Sequence, residues 1–277
     1  VKQAEASQKR INEFLDSKSS LDDGNYSLKD KNSKNIEFND VSFTYPQTGI
    51  QVFNSFNLKI DKGTTLGIVG KVGSGKTTLL DLICRVYDPN KGSISYDRND
   101  IRSFKINNLR ELFSYVPQNN FLFSDSIFKN IQFGNPNATE KEVKKAAKLS
   151  EIDSDIAKFE NGYQTILGER GVTLSGGQVQ RVSIARSFVK DSALYLFDDC
   201  FSSLDTDTEE RLIKNLKNNF KNKSVIIVSH RVSCVKHADK IIVLEKGKII
   251  QEGTHKNLIK IDGYYKELYN KQNSEIT

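Results

Sequence analysis

From Ile36 onward the chain alternates short apolar runs with amphipathic stretches. IEFNDVSFTY alternates apolar and polar residues, as a half-buried strand does. NLKI and TTLGIVG follow, and the second stops at glycine. Later runs are ALYLF, SVIIV and KIIVL. These short β-branched runs predict buried strands of a mainly parallel sheet. TEKEVKKAAKLS and TEERLIKNLKNNF lie between them and carry helical spacing. Such alternation predicts an α/β layered domain. Ahead of it, VKQAEASQKRINEFLD sets Ala4, Ile11, Phe14 and Leu15 at roughly helical spacing, in a stretch too short and polar to be more than marginal alone. SKSSLDDGNYSLKDKNSKN reads as a linker.

Composition narrows the picture slightly. At 277 residues one large domain or two small ones are expected. The net charge of +6 comes from 41 basic and 35 acidic residues, without the Lys/Arg block of a nucleic-acid arm. A phosphate-bearing ligand suits that balance, and no nucleic-acid partner is expected. Cys84, Cys200 and Cys234 lack metal-ligand spacing and fit buried thiols in a reducing compartment. No stretch approaches the roughly 20 apolar residues of a membrane helix. The chain has no methionine, so a piece of something longer is expected.

The strongest local motif is GKVGSGKTT, which comprises Gly70, Lys71, Val72, Gly73, Ser74, Gly75, Lys76, Thr77 and Thr78. It follows the run TLGIV and precedes the apolar TLLDLICRVY, the strand–loop–helix setting of a phosphate loop. Glycines let backbone N–H groups surround phosphate oxygens, and the helix N-terminus adds its dipole. Lys76 is the charge for the outer phosphates, and the Thr77 hydroxyl is a magnesium donor. A second anion site is predicted where LSGGQ (Leu174, Ser175, Gly176, Gly177, Gln178) opens the amphipathic pattern of Val182, Ile184, Ala185 and Phe188.

Taken in order, these residues resemble the nucleotide-binding domain of ATP-binding cassette (ABC) proteins. The resemblance spans almost all of residues 36–268: Tyr45 in FTY, the phosphate loop, Gln118 in VPQ, LSGGQ, Asp198 in LYLFD, Asp205 in SSLD and His230 in VSH. It implies a P-loop NTPase of the ABC ATPase fold, with a mainly parallel core sheet, an antiparallel β subdomain and an inserted helical subdomain carrying LSGGQ. Residues 1–35 would end a transmembrane exit helix and linker, 36–270 form the domain with its helical part near 119–190, and 271–277 form a tail. The implied cofactors are ATP and Mg2+. Two such domains would pair head to tail, with ATP between the phosphate loop of one and LSGGQ of the other. Tyr45 would stack on adenine. Thr77 and Asp198 would serve the magnesium, Gln118 would touch the magnesium or the attacking water and report to a membrane partner, Asp205 would contact the opposite subunit, and His230 would hold the γ-phosphate.

VPQNNFLFSDSIFKNIQFGNP and GERG resemble the segments of ABC exporters that face their transmembrane domains. The resemblance therefore implies an exporter ATPase on the cytoplasmic face of the cell membrane. One position departs from the pattern. Most of the family has glutamate after the magnesium aspartate, and here it is Asp199. The side chain is shorter by roughly 1.5 Å. A base must come within about 2.6–3.2 Å of its proton, and misplacement by about 1 Å can cost ~10²-fold. Asp199 beside an intact LSGGQ resembles the degenerate chain of heterodimeric exporters, whose signature motif completes the partner's active site. The alternatives are a homodimeric exporter using aspartate as base, a non-transport ABC protein and a binding-only module. His237 and His255 match no motif and read as surface residues.

Overall fold

The computed structural model describes residues 2–15, 21–28, 30–168 and 171–274. Helix α1 (Lys2–Leu15) comes first, with Ile11, Phe14 and Leu15 exposed; the side chain of Ala4 lies outside the described residues. Strands β1 (Ile36–Thr44) and β2 (Gln51–Ile60) form an antiparallel pair. Then β3 (Thr65–Gly70) leads through a loop into α2 (Lys76–Ile83). β4 (Lys91–Tyr96) and the two-residue β5 (Asn99–Asp100) precede α3 (Ile106–Glu111) and β6 (Phe113–Val116). A helical stretch follows: α4 (Ile127–Gln132), α5 (Glu140–Leu149), α6 (Asp153–Ile156) and α7 (Gly176–Phe188). The chain closes with β7 (Leu194–Asp198), α8 (Thr206–Asn219), β8 (Ser224–Val228), α9 (Val232–Val235), β9 (Lys240–Glu245), β10 (Lys248–Gly253), α10 (His255–Leu258) and α11 (Tyr264–Ser274).

Two sheets result. The first runs β2-β1-β4-β5 and is antiparallel. The second runs β10-β9-β3-β8-β7-β6, parallel except for the β9–β10 hairpin. Alternation explains how the central strands are used. Leu194 and Leu196 of β7, with Ile226 and Val228 of β8, enter a core shared with the antiparallel sheet. Tyr195, Phe197, Val225 and Ile227 point the other way, into a core shared with α4, α5, α7, α8 and α9. With both faces covered, the strands read as continuous apolar runs.

The helix starts follow from capping chemistry. Thr139 and Glu142 form a capping box on α5, and Ser175 and Gln178 form another on α7. The carboxyl ends of β3, β6, β7 and β8 lie along one edge of the parallel sheet, where such sheets present ligand-binding groups.

Candidate functional site

The loop between β3 and α2 is shaped by glycine and closed by lysine. Gly75, the residue before α2, has φ 104, and a Cβ there would lie 2.9 Å from Val52 Cγ1 and 3.1 Å from Phe53 Cζ. Lys76 is buried, and its Nζ donates to the carbonyls of Gly70 and Lys71, each at 2.8 Å. Burial lowers its pKa, while the carboxylates of Asp198 and Asp199 pull it back up. Ser74 Oγ is buried and has no hydrogen-bond partner among the described residues.

At the end of β7, Asp198 Oδ2 accepts from Thr77 Oγ1 at 2.8 Å and from the Tyr115 hydroxyl at 3.2 Å. Burial raises the Asp198 pKa and the Asp199 charge adds to the rise; the bonds from Thr77 and Tyr115 and the charge of Lys76 oppose it. Tyr115 lies three residues before Gln118, on β6, and Asp81 lies one turn beyond Thr77, on α2. Burial, with a contribution from Asp198, raises the Asp81 carboxyl to about 6. Neither Tyr115 nor Asp81 was expected from the sequence; Tyr115 reaches Asp198 only through the pairing of β6 with β7, whereas Asp81 stands one helical turn beyond Thr77.

Asp199 sits in left-handed backbone, φ 46, a region that aspartate tolerates better than most residues. Its N–H donates to Val228 O at 2.9 Å, which ties β7 to β8. Its Oδ1 accepts from the His230 N–H at 3.4 Å, and its carbonyl accepts from Ser202 Oγ at 3.1 Å. Tyr45 follows β1; its hydroxyl bonds Thr78 Oγ1 at 2.8 Å, and its ring meets Phe43 and Tyr87 edge-on.

One open cleft of about 330 Å³ gathers Tyr45, Val72, Gly73, Gly75, Lys76, Thr77, Thr78, Gln118, Asp198, Asp199 and His230. Residues 174–178 and Asp205 lie elsewhere. Ser175 caps α7, and Asp205 caps α8 by accepting from Thr208 N at 2.9 Å. Residues 202–204 are clasped from two sides. Gln180 of α7 accepts from Ser203 N at 3.1 Å, and Arg231 donates to the Ser202 and Leu204 carbonyls at 2.8 and 3.0 Å. His237 is exposed, as expected, whereas His255 is half-buried with its Nδ1 2.9 Å from the Tyr265 hydroxyl. Glu169 and Arg170 of GERG lie outside the described residues.

The family model described as ABC transporter matches residues 53–202. The chain belongs to the ABC transporter family. It is 39% identical over 272 residues to the probable multidrug resistance ABC transporter ATP-binding/permease protein YheI of Bacillus subtilis, covering 98% of this chain and 46% of that protein. It is 41% identical over 273 residues to the ATP-dependent lipid A-core flippase of Desulfotalea psychrophila, covering 98% of this chain and 47% of that protein. The structure of a bacterial Atm1-family ABC exporter with ATP bound superposes with a TM-score of 0.91 at 34% identity, over 98% of this chain and 48% of that chain. The chain thus spans just under half the length of these relatives. Its fold is that of the ABC ATPases.

The residues lining the cleft fit a nucleotide accompanied by a divalent cation such as Mg2+. Lys76 and the start of α2 would offer positive charge to phosphates there. Thr77 Oγ1 and Asp198 Oδ2, 2.8 Å apart, are hard oxygen donors. So few protein oxygens suit a cation that keeps waters and takes phosphate oxygens as ligands.

Proposed function

We propose that this chain is the ATP-binding and ATP-hydrolysing domain of an ABC exporter, and that its own site hydrolyses ATP poorly. The names of its relatives, a multidrug resistance ATP-binding/permease protein and a lipid flippase, support export. The observation that carries the proposal is the cleft itself. It holds the phosphate loop, Asp198, Asp199 and His230 together, while the capped N-terminus of α7 with Ser175, Gly176 and Gly177 lies outside it. Each chain therefore carries two half-sites that a second, head-to-tail domain would complete.

In that arrangement Tyr45 stacks on the base. Residues 70–78 and Lys76 hold the phosphates, and Thr77, Asp198 and Gln118 hold Mg2+, which supplies charge neutralisation at the phosphates. His230 holds the terminal phosphate. Asp199 orients the attacking water from a side chain one methylene short, with Oδ1 already directed to the His230 N–H. Leu174, Ser175, Gly176, Gly177 and Gln178 serve the partner's ATP, and Asp205 lies at the contact between the two domains. Exposed Phe121, Phe123 and Phe133, whose neighbouring ring centroids are 5.2 and 4.7 Å apart, support docking to transmembrane domains. Among the described residues no helix is long and apolar enough to cross a membrane. On the names of its relatives, our reading sets the domain to work at the cytoplasmic face of a membrane.

A homodimeric exporter with Asp199 as a working base is the second reading, favoured by the carboxylate that the cleft retains at that position. Steady-state ATP hydrolysis by the chain and by Asp199→Glu, at matched concentration with ATP-dependent dimerisation followed in parallel, separates the two. A variant faster by about ten-fold, or ~1.4 kcal/mol of barrier, supports the impaired site. Equal rates with equal dimerisation refute it.

A further inference from the structure

We propose that Gln272, in the last helix, is a positioning residue for His230, so that the C-terminal helix sets where the group assigned above to the terminal phosphate stands. The proposal rests on that assignment of His230. Between β8 and α9 the chain turns a corner at residues 229–232, and every backbone group of that corner placed by a side chain can be named. The His230 N–H donates to Asp199 Oδ1 at 3.4 Å, and the Arg231 N–H donates to Ser229 Oγ at 3.0 Å. The Val232 N–H opens α9, where no intrahelical acceptor exists for it. It donates to Gln272 Oε1 at 2.8 Å. The same amide donates through Nε2 to the His230 carbonyl at 2.6 Å. The two partners, one donor and one acceptor, fix which end of the amide is which. Only a carboxamide side chain of this length meets both at once.

Gln272 is the one member of this set that comes from outside the nucleotide motifs. Its helix is fixed two turns earlier. There Tyr265 is fully buried, its N–H donates to Gln251 Oε1 at 3.0 Å, and its hydroxyl meets His255 Nδ1 at 2.9 Å. The hairpin strand β10 and helix α10 thereby hold α11, and α11 holds the histidine corner.

The test uses the three histidines of the chain, whose ring resonances are assignable by single substitution. Gln272→Leu removes both bonds. Its expected signature is a shifted and broadened His230 ring signal, with His237 and His255 unmoved. In hydrolysis, kcat should fall on the order of ten-fold while KM for ATP changes by less than about two-fold, because the ground-state contacts of the phosphate loop are kept. Gln272→Glu keeps the acceptor for Val232 but faces the His230 carbonyl with a second acceptor, so it should behave like Gln272→Leu. An unmoved His230 signal in Gln272→Leu overturns the proposal, as does wild-type behaviour of Gln272→Glu. Movement of all three rings would mean that α11 has come away as a whole, and overturns it too. His230→Ala, assayed in parallel, separates the two levels. If it leaves hydrolysis unchanged, the assignment of His230 fails. If it stops hydrolysis while Gln272→Leu does not alter kcat, the positioning role alone fails.

Discussion

Replacing Arg231 by alanine tests the clasp on residues 202–204 and the ion pair beneath it. Arg231 Nη1 lies 3.1 Å from Glu209 Oε2, and the Glu209 side chain is only 2% exposed. Its other oxygen, Oε1, has no hydrogen-bond partner among the described residues. Arg231→Ala therefore leaves a buried carboxylate without its cation and frees the Ser202 and Leu204 carbonyls. Breaking a fully buried pair in this way costs about 3–5 kcal/mol. The Arg231 side chain is 39% exposed, so solvent already reaches one side of the pair and enters the gap on truncation. That lowers the expected loss to about 2–3 kcal/mol. Glu209→Gln removes the charge while keeping the shape. The double variant should then recover about 1–2 kcal/mol relative to Arg231→Ala, as a coupling energy between contacting residues. Urea unfolding of the four proteins reads this directly, provided the slope m stays constant across the set. A loss below about 1 kcal/mol for Arg231→Ala would put the pair with exposed surface pairs. A double variant no better than Arg231→Ala would refute the charge argument.

Two more outcomes are expected. The Asp81 carboxyl is raised to about 6 in the folded protein, so ionising it costs folding stability as pH rises from about 4 through 6. A shift of two units would be ~3 kcal/mol, but Asp81 is partly exposed; with screening, Asp81→Asn should gain about 1 kcal/mol at pH 7.5. That gain should fade below pH 4, and thermal unfolding across the range that shows no pH dependence of the gain would refute it. Gly75→Ala puts a Cβ on left-handed backbone and 2.9 Å from Val52 Cγ1. It should lose about 1–3 kcal/mol of stability and at least about ten-fold in ATP affinity, read by unfolding and nucleotide titration, and unchanged affinity would contradict it.

The parts of the site that lie contiguous in sequence were legible there. Residues 70–78 form one unbroken motif, and the start of α7 shows where LSGGQ opens the apolar pattern of Val182, Ile184, Ala185 and Phe188, a start that the structure caps with Ser175 and Gln178. The strands β3, β7 and β8 were legible because both their faces are covered. β2 was only partly so. NLKI gives its last four residues, whereas Ser55 at φ 52 and the bulges against β1 break the alternation ahead of them. The residues that steady the site were hidden for a different reason. Tyr115, Arg231 and Gln272 meet their partners across 83, 27 and 42 positions of sequence, and no local pattern encodes such distances. His255 looked like surface because its partner, Tyr265, comes alongside only when α11 folds back over β10.

Gly67 lies in the middle of β3, three residues before the phosphate loop begins, and α9 rests directly upon it. A Cβ there would be 2.8 Å from Val235 Cβ and 3.3 Å from Ala238 Cβ. The helix that follows His230 thus beds against the strand that delivers Lys76, with nothing between them but a hydrogen atom. How far the histidine corner stands from the loop of residues 70–78 is therefore a matter of clearance, like a shaft seated in its bearing. Any larger side chain at position 67 would act as a shim between the two halves of the site.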